Sequence, residues 1–263
     1  MKIGIVGCGI VGGACKFGFQ KLGHQVIVHD IKMKTKISIV IPCDIIYICV
    51  PTPMKDDGSC CTSFVESVVN DLDNLNYNGI VVIKSTVPPG TTEKLYRDNF
   101  KDLAFVPEFL RERCAISDFV EHQKLLAVGT YNKSTYDAVL ECHGHFPHYK
   151  IQLTPTQAEI LKYYHNTFNA LRVVFANEFY EISNFFNEDY GPIKNALLKT
   201  SNLPDIYLDV NQNMRGYSSI CWNKDIPALI ALCKNKNINI PLINMIPIAN
   251  NNYIKTPFSG TRE

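Results

Sequence analysis

From Thr156 to Tyr190 the chain runs without a single glycine or proline, and no other feature narrows its possible folds as much. Nothing in that run breaks a helix. Thr154 is placed as N-cap, Pro155 at the first helical position and Gln157 to close a capping box. Leu161, Tyr164, Phe168, Leu171, Phe175, Phe179, Ile182 and Phe186 recur at steps of three or four, which makes one apolar stripe. The spacing predicts a helix over Thr154–Asn187, about 50 Å long at roughly 1.5 Å per residue. The middle run Leu171–Ala176 is apolar on nearly every side except Arg172. A helix of this length and character is expected to join two halves of a molecule, two subunits, or both.

Upstream lies a different pattern. A short apolar strand (Ile3–Val6) meets Gly7-Cys8-Gly9-Ile10-Val11-Gly12, then a helix to about Leu22, then a strand Val26–Val28 that ends at Asp30. Gly7 permits a tight turn, Gly9 lets a pyrophosphate approach the backbone, and Gly12 lets helix and strand pack closely. Phosphates would sit on the helix N-terminus. Asp30 is placed to accept hydrogen bonds from an adenosine ribose, which favours NAD over NADP. Further strands are expected at Asp44–Val50, Ile80–Lys84, Leu103–Val106 and Leu125–Val128, with helices between most of them. Strands alternating with helices predict an α/β, Rossmann-like, doubly wound parallel sheet. Its ligand loops would be Pro51–Pro53, Ser85–Gly90 and Pro107–Glu112, at the carboxyl ends of strands.

The totals exclude several classes. With 26 basic and 25 acidic residues among 263, and no basic block, neither nucleic acid nor an anionic membrane is an expected partner. Met1 runs straight into the strand-like KIGIVG, so no signal peptide is read, and no apolar run is long enough to span a bilayer. The ten cysteines lie singly on apolar segments. Only Cys60-Cys61 cluster, without the partners of a zinc site, so no metal is expected. Reduced thiols in a cytoplasmic protein are the consistent reading.

The segments GCGIVG, CVPTP, KSTVPPGTT, FVPEFLRERCA, AEILKYYHNTFNALRVVFANE and CWNKD occur in this order. Together they resemble the nucleotide-sugar 6-dehydrogenases, the UDP-glucose/GDP-mannose dehydrogenase family, and most closely its UDP-glucose branch. The resemblance covers nearly all of residues 1 to about 235. It implies an enzyme that oxidises a sugar's primary alcohol to a carboxylate with two NAD and one water. Cys221 would be the nucleophile, taking the aldehyde as a thiohemiacetal; a second hydride transfer would make a thioester, which water hydrolyses. Lys224, three residues on, and a helix beginning near IPALIALCK would both favour the thiolate. Lys162 and Asn166, spaced i and i+4, would share a helical face and donate to the substrate oxyanion.

By the same resemblance Glu108 and Asp225, with Thr86, would handle the proton and water of hydrolysis. Cofactor contacts would come from Gly7, Gly9, Ile10, Val11, Gly12, Asp30, Val50, Thr52, Ser85, Thr86, Glu112 and Lys224. The sugar nucleotide would meet Glu108, Phe109, Leu110, Arg111, Glu112, Lys162, Asn166, Gly216 and Cys221. Without the family, Glu108 and Glu112 read as surface carboxylates at helical spacing.

Three departures from the family stand out. The stretch between Asp30 and Asp44 is short where relatives carry a longer insertion with helices of its own. In the loop before Cys221, Ser218, Ser219 and Asn223 replace glycines and a proline; glycines there usually permit positive φ or close approach. After about Ile238 an Asn/Ile-rich stretch without motif follows, where the family carries a second Rossmann-like domain. The expectation is a shortened form, its uridine end bound by the Pro107–Glu112 loop, the Asn211–Gly216 loop or a partner chain.

The domain reading is 1–153 for NAD binding, 154–187 for the long helix, and 188–263 for a small all-helical dimerisation domain with the nucleophile loop and tail. UDP-glucose is the first substrate expected, in a homodimer held by the long helix. The alternatives are GDP-mannose, a UDP-amino sugar, or a non-catalytic NAD-binding dimer subunit.

Overall fold

The Val- and Ile-rich runs pair into one seven-stranded sheet. In the computed structural model, which describes residues 1–98, 102–200 and 203–254, the strands are β1 (Lys2–Val6), β2 (Gln25–His29), β3 (Ile45–Ile48), β4 (Ile80–Ile83), β5 (Leu103–Phe105), β6 (Leu125–Gly129) and β7 (Tyr149–Leu153). Their order is β2-β1-β3-β4-β5-β6-β7. Ile3 pairs with Val26 on one side and Ile45 on the other. The order therefore reverses between β1 and β3, and the crevice beyond their carboxyl ends is where such a sheet takes a ligand.

Helices α1 (Ile10–Lys21), α2 (Ser63–Asn74), α3 (Thr91–Asp98), α4 (Ala115–Val120) and α5 (Lys133–His143) connect the strands. Both faces of the central strands are buried, as parallel sheets require. Ile3, Ile5, Tyr47 and Val82 pack with Phe19 of α1 and Phe119 of α4. Ile46, Ile48, Val81 and Ile83 pack on the other face with Val65, Val69 and Leu72 of α2.

Two details differ from the expectation. The sheet is mostly rather than wholly parallel: β6 runs antiparallel to β5 through the single pair Phe105–Gly129, and β7 then runs parallel to β6. Strand β7 was not legible because it is an edge strand, with Tyr149–Gln152 all exposed and no apolar run to mark it. The short stretch after Asp30 forms two 3-10 turns, Ile31–Met33 and Ile37–Val40. They suffice to cover the sheet, because Val40 and Cys43 close directly over Gly4.

The chain divides into two compact units: Met1–Lys55 with Cys60–Lys162, and Asp56–Ser59 with Tyr163–Glu263. The long helix α6 (Pro155–Phe185) belongs to both. Its start carries the expected reciprocal cap: Gln157 N–H donates to Thr154 Oγ1 at 3.2 Å, and Thr154 N–H donates to Gln157 Oε1 at 3.0 Å. One turn in, Glu159 is fully buried, and its carboxylate accepts from the Gly90 and Thr92 amides at 2.6 and 2.8 Å. Burial, against those hydrogen bonds, lifts its pKa to about 7.

In the second unit α6 is followed by α7 (Tyr190–Thr200), α8 (Ile220–Asn235) and α9 (Pro241–Asn250). Ala170, Val173 and Val174 of α6 form its core with Tyr217, Trp222, Ile226 and Ile246. The aromatic stripe lies on another face: Tyr164, Phe168, Phe175, Phe179, Ile182 and Phe186 are 43% to 69% exposed. The Asn/Ile-rich stretch read as motif-free folds as α9, which buries Ile246 and Asn250. Residues 255–263 of the expected tail lie outside the described residues. Among the described residues no helix is long and apolar enough to cross a membrane.

Candidate active site

In the first unit the glycine turn behaves as its spacing predicts. Gly7 has φ +90°, and a Cβ there would strike the Cys49 carbonyl; a Cβ on Gly12 would lie 2.0 Å from the Gly7 oxygen. Around Gly9 there is open space. Gly9 is the N-cap of α1, with no side-chain cap, so the helix end keeps its donors for an anion. Asp30 closes the turn, accepting from Cys8 N–H at 2.7 Å and Lys32 N–H at 2.8 Å. Those hydrogen bonds, Cys8 first, hold its pKa below the usual carboxylate value. Ile10 is half exposed and Val11 partly so, both on the first turn of α1.

These residues fit a dinucleotide: an open glycine cradle, an uncapped helix terminus and an ionised carboxylate. Gly12→Ala should cost about 2–3 kcal/mol through overpacking, read as a lower melting temperature. Gly9→Ala, with room for its methyl, should melt like the wild type yet lose most of the stabilisation conferred by NAD.

The next loops are tied to one another. Ser85 Oγ donates to the Val50 carbonyl at 2.7 Å, and Thr52 is buried beside them in the sequence CVPTP. Thr86 is half-buried, and its carbonyl accepts from Cys60 Sγ at 3.7 Å. Lys84, at the end of β4, is buried and ion-paired with Glu108 at 2.8 Å. Burial disfavours the Lys84 ammonium, but the Glu108 carboxylate outweighs it and the pKa stays above the ordinary lysine value. Glu108 Oε1 accepts from the Phe109 and Leu110 amides at 2.8 and 3.2 Å. Lys162 donates to the Glu108 carbonyl and lies 5.6 Å from the centre of the Phe109 ring. One loop residue thus holds both lysines.

Glu108 and Glu112 are not on a common helix: Glu108 sits in an irregular loop, and Glu112 opens a 3-10 turn, Glu112–Cys114. Arg111 grips Asp118 through Nε and Nη2 at 2.9 and 2.6 Å, which fastens the loop to α4. Burial opposes the Asp118 carboxylate, but Arg111 prevails and depresses its pKa.

In the second unit Cys221 stands in the first turn of α8, which begins six residues before the expected IPALIALCK helix and runs through Pro227. Ser219 supplies the cap, its Oγ accepting from Trp222 N–H. Neither Ser218 nor Ser219 has positive φ, and Asn223 is helical, so this backbone does not call for the glycines. Asp225 is 1% exposed and accepts from Asn166 Nδ2 at 2.7 Å and Lys224 Nζ at 2.5 Å. Lys224, expected at the cofactor, is engaged with Asp225.

Several supports were not legible. Buried Asn250 of α9 accepts from Tyr217 N–H at 2.9 Å and donates to the Tyr217 carbonyl at 3.1 Å. A Cβ on Gly216 would lie 2.8 Å from that same amide, so packing against α9 requires the glycine. Arg215 pairs with Glu181 and Asn177 and lies over the Tyr180 and Tyr253 rings. The loop before Cys221 is therefore pinned by α6 and α9. For Lys84 a signal existed: a charge closing the otherwise apolar run IVVIK.

The sheet order, the glycine turn and Asp30 define a dinucleotide-binding protein of the Rossmann type. Residues 32–147 match the NAD-binding domain of the UDP-glucose/GDP-mannose dehydrogenase family, and residues 156–252 match its central domain. The chain belongs to that family, and its cofactor is NAD. It is 27% identical to a putative UDP-glucose 6-dehydrogenase, YtcA, of Bacillus subtilis, over 97% of this chain and 68% of that one. It is 25% identical to a GDP-mannose 6-dehydrogenase of Pseudomonas aeruginosa, over 98% and 70%. A solved UDP-glucose dehydrogenase from Pyrobaculum islandicum superposes with a TM-score of 0.86 at 23% identity, covering 95% of this chain and 68% of that one, a likeness of fold.

Proposed function

We propose that this chain oxidises the 6-hydroxymethyl group of UDP-glucose to the carboxylate of UDP-glucuronate, with Cys221 as covalent nucleophile. The observation that carries the reading is the α8 terminus, where Cys221 occupies the first turn and the same helix presents Lys224 and Asp225, hydrogen-bonded to Asn166. NAD, when bound at the glycine turn, supplies the acceptor for each of two hydrides. The helix terminus favours the Cys221 thiolate. That thiolate adds to the aldehyde carbon and forms a C–S bond, and the oxyanion meets donors from Lys162 and Asn166, one turn apart on α6. After the second oxidation water attacks the thioester carbonyl and Cys221 leaves as thiolate; Asp225 takes the water's proton in the second unit, and Glu108 and Thr86 keep the acid–base role that the family motifs give them in the first. Phe109, Leu110, Arg111, Glu112 and Gly216 belong to loops that would hold the sugar nucleotide, while Val50, Thr52, Ser85 and Thr86 line the cofactor.

The deciding experiment follows NADH formation by the purified protein on UDP-glucose, GDP-mannose and a UDP-amino sugar. Two NADH per UDP-glucose supports the reading. Preference for another sugar nucleotide moves it to a sister substrate. No turnover on any, with NAD still raising the melting temperature, leaves a non-catalytic NAD-binding subunit.

The exposed stripe of α6 supports a homodimer, since paired rings such as Phe175–Phe179, 4.9 Å apart, form an apolar face. Phe175→Glu with Phe179→Glu should convert a dimer to a monomer in sedimentation and cut activity at low protein concentration. A wild-type monomer with full activity would overturn the dimer. None of the ten cysteines is joined in a disulfide, which supports a reducing compartment such as the cytoplasm.

A further inference from the structure

Around Asn166 the second unit holds a hydrogen-bond chain with only one consistent direction. The Asp225 carboxylate can only accept, so Asn166 must present its NH2 there, at 2.7 Å. Its Oδ1 then faces His165 Nδ1 at 3.2 Å, which must donate. The neutral ring is left with Nε2 as acceptor, and Asn169 Nδ2 donates to it at 3.3 Å. Lys224 completes the far end by donating to the other Asp225 oxygen at 2.5 Å. Every link runs donor to acceptor only if His165 carries its proton on Nδ1 and the Asn166 amide does not flip.

We propose that His165 is a positioning residue that locks the Asn166 amide, so that the second Nδ2 proton is aimed at the substrate oxygen. This rests on the dehydrogenase reading above. His165 is exposed, whereas Asn166 and Asn169 are buried. An exposed ring that fixes a buried amide is not needed for packing. Losing it frees the amide to rotate without opening a cavity.

The test uses the 263-residue chain carrying His165→Ala, His165→Asn or His165→Gln. Asparagine places an N–H where Nδ1 stands; glutamine reaches instead to the Nε2 position. Alanine and glutamine should lower kcat about tenfold, the loss of one hydrogen bond acting in the transition state, with KM for NAD and the melting temperature unchanged. Asparagine should restore kcat. The side-chain amide signals of Asn166, read by NMR in asparagine-labelled protein, should move in His165→Ala and return in His165→Asn. Equal kcat in the alanine and asparagine variants, or unmoved Asn166 signals in His165→Ala, overturns the proposal. If the wild type turns over no nucleotide sugar, the dehydrogenase reading fails on its own, and the NMR comparison alone decides the role of His165.

Discussion

Cys221→Ala is expected to abolish formation of the sugar acid while leaving NAD binding intact. On the same helix the neighbours Lys224 and Asp225 already bond one another, Asp225 is taken up by Asn166 as well, and the other cysteine of α8, Cys233, is buried twelve residues on. On the proposed mechanism the aldehyde then has no covalent anchor, so the expected two NADH per sugar should collapse and kcat should fall by roughly a thousandfold or more. Stability should barely change, because Cys221 is half-buried at a helix terminus capped by Ser219. Parallel measurements of NADH release and of the NAD-induced melting shift separate the two effects. A variant that still yields two NADH per sugar at an undiminished rate would eliminate Cys221 as the nucleophile.

The second large effect is on stability. Glu108→Gln should cost about 3–5 kcal/mol, because it leaves the Lys84 ammonium buried without its counter-charge. In the native protein Glu108 keeps the Lys84 pKa above its ordinary value. That contribution is present below the unfolded-state pKa and is lost only as pH rises through the folded one. In Glu108→Gln burial, the largest influence on Lys84, loses its main opposition and depresses the folded pKa, so the sign reverses: the penalty is larger at neutral pH and shrinks as pH rises toward the unfolded value. Urea unfolding at pH 7 and pH 9.5 reads this directly. The variant should gain stability over that interval, and Lys84→Met with Glu108→Gln should cost less than the two single changes summed. A strictly additive pair would remove the ion pair from the account.

Much of this was legible in the chain. The glycine turn could be read because its chemistry is local: Gly7, Gly9 and Gly12 each meet a distinct steric demand within a few residues of strand and helix. The capping box at Thr154 and Gln157 was legible for the same reason. Cys221, Lys162, Asn166 and Asp225 came from motif resemblance, and what surrounds them did not. Nothing local announces that Arg111 is committed to Asp118, or that α8 starts at Ile220 and tolerates Pro227.

What the sequence determined by itself was the type of most elements, the dinucleotide turn and the family, since these rest on short-range sterics, capping, periodicity and motif order. Tertiary structure alone decided which apolar stripe of α6 enters the core, because the Ala170–Val174 face and the Phe175–Phe179 face have the same period and differ only in what packs against them. It also decided the partners of the buried polar groups. Asn166 finds Asp225 across 59 residues, Tyr217 finds Asn250 across 33, and Lys84 finds Glu108. Packing excludes water from each of these groups, and a buried donor or acceptor then takes whichever partner the fold brings within reach.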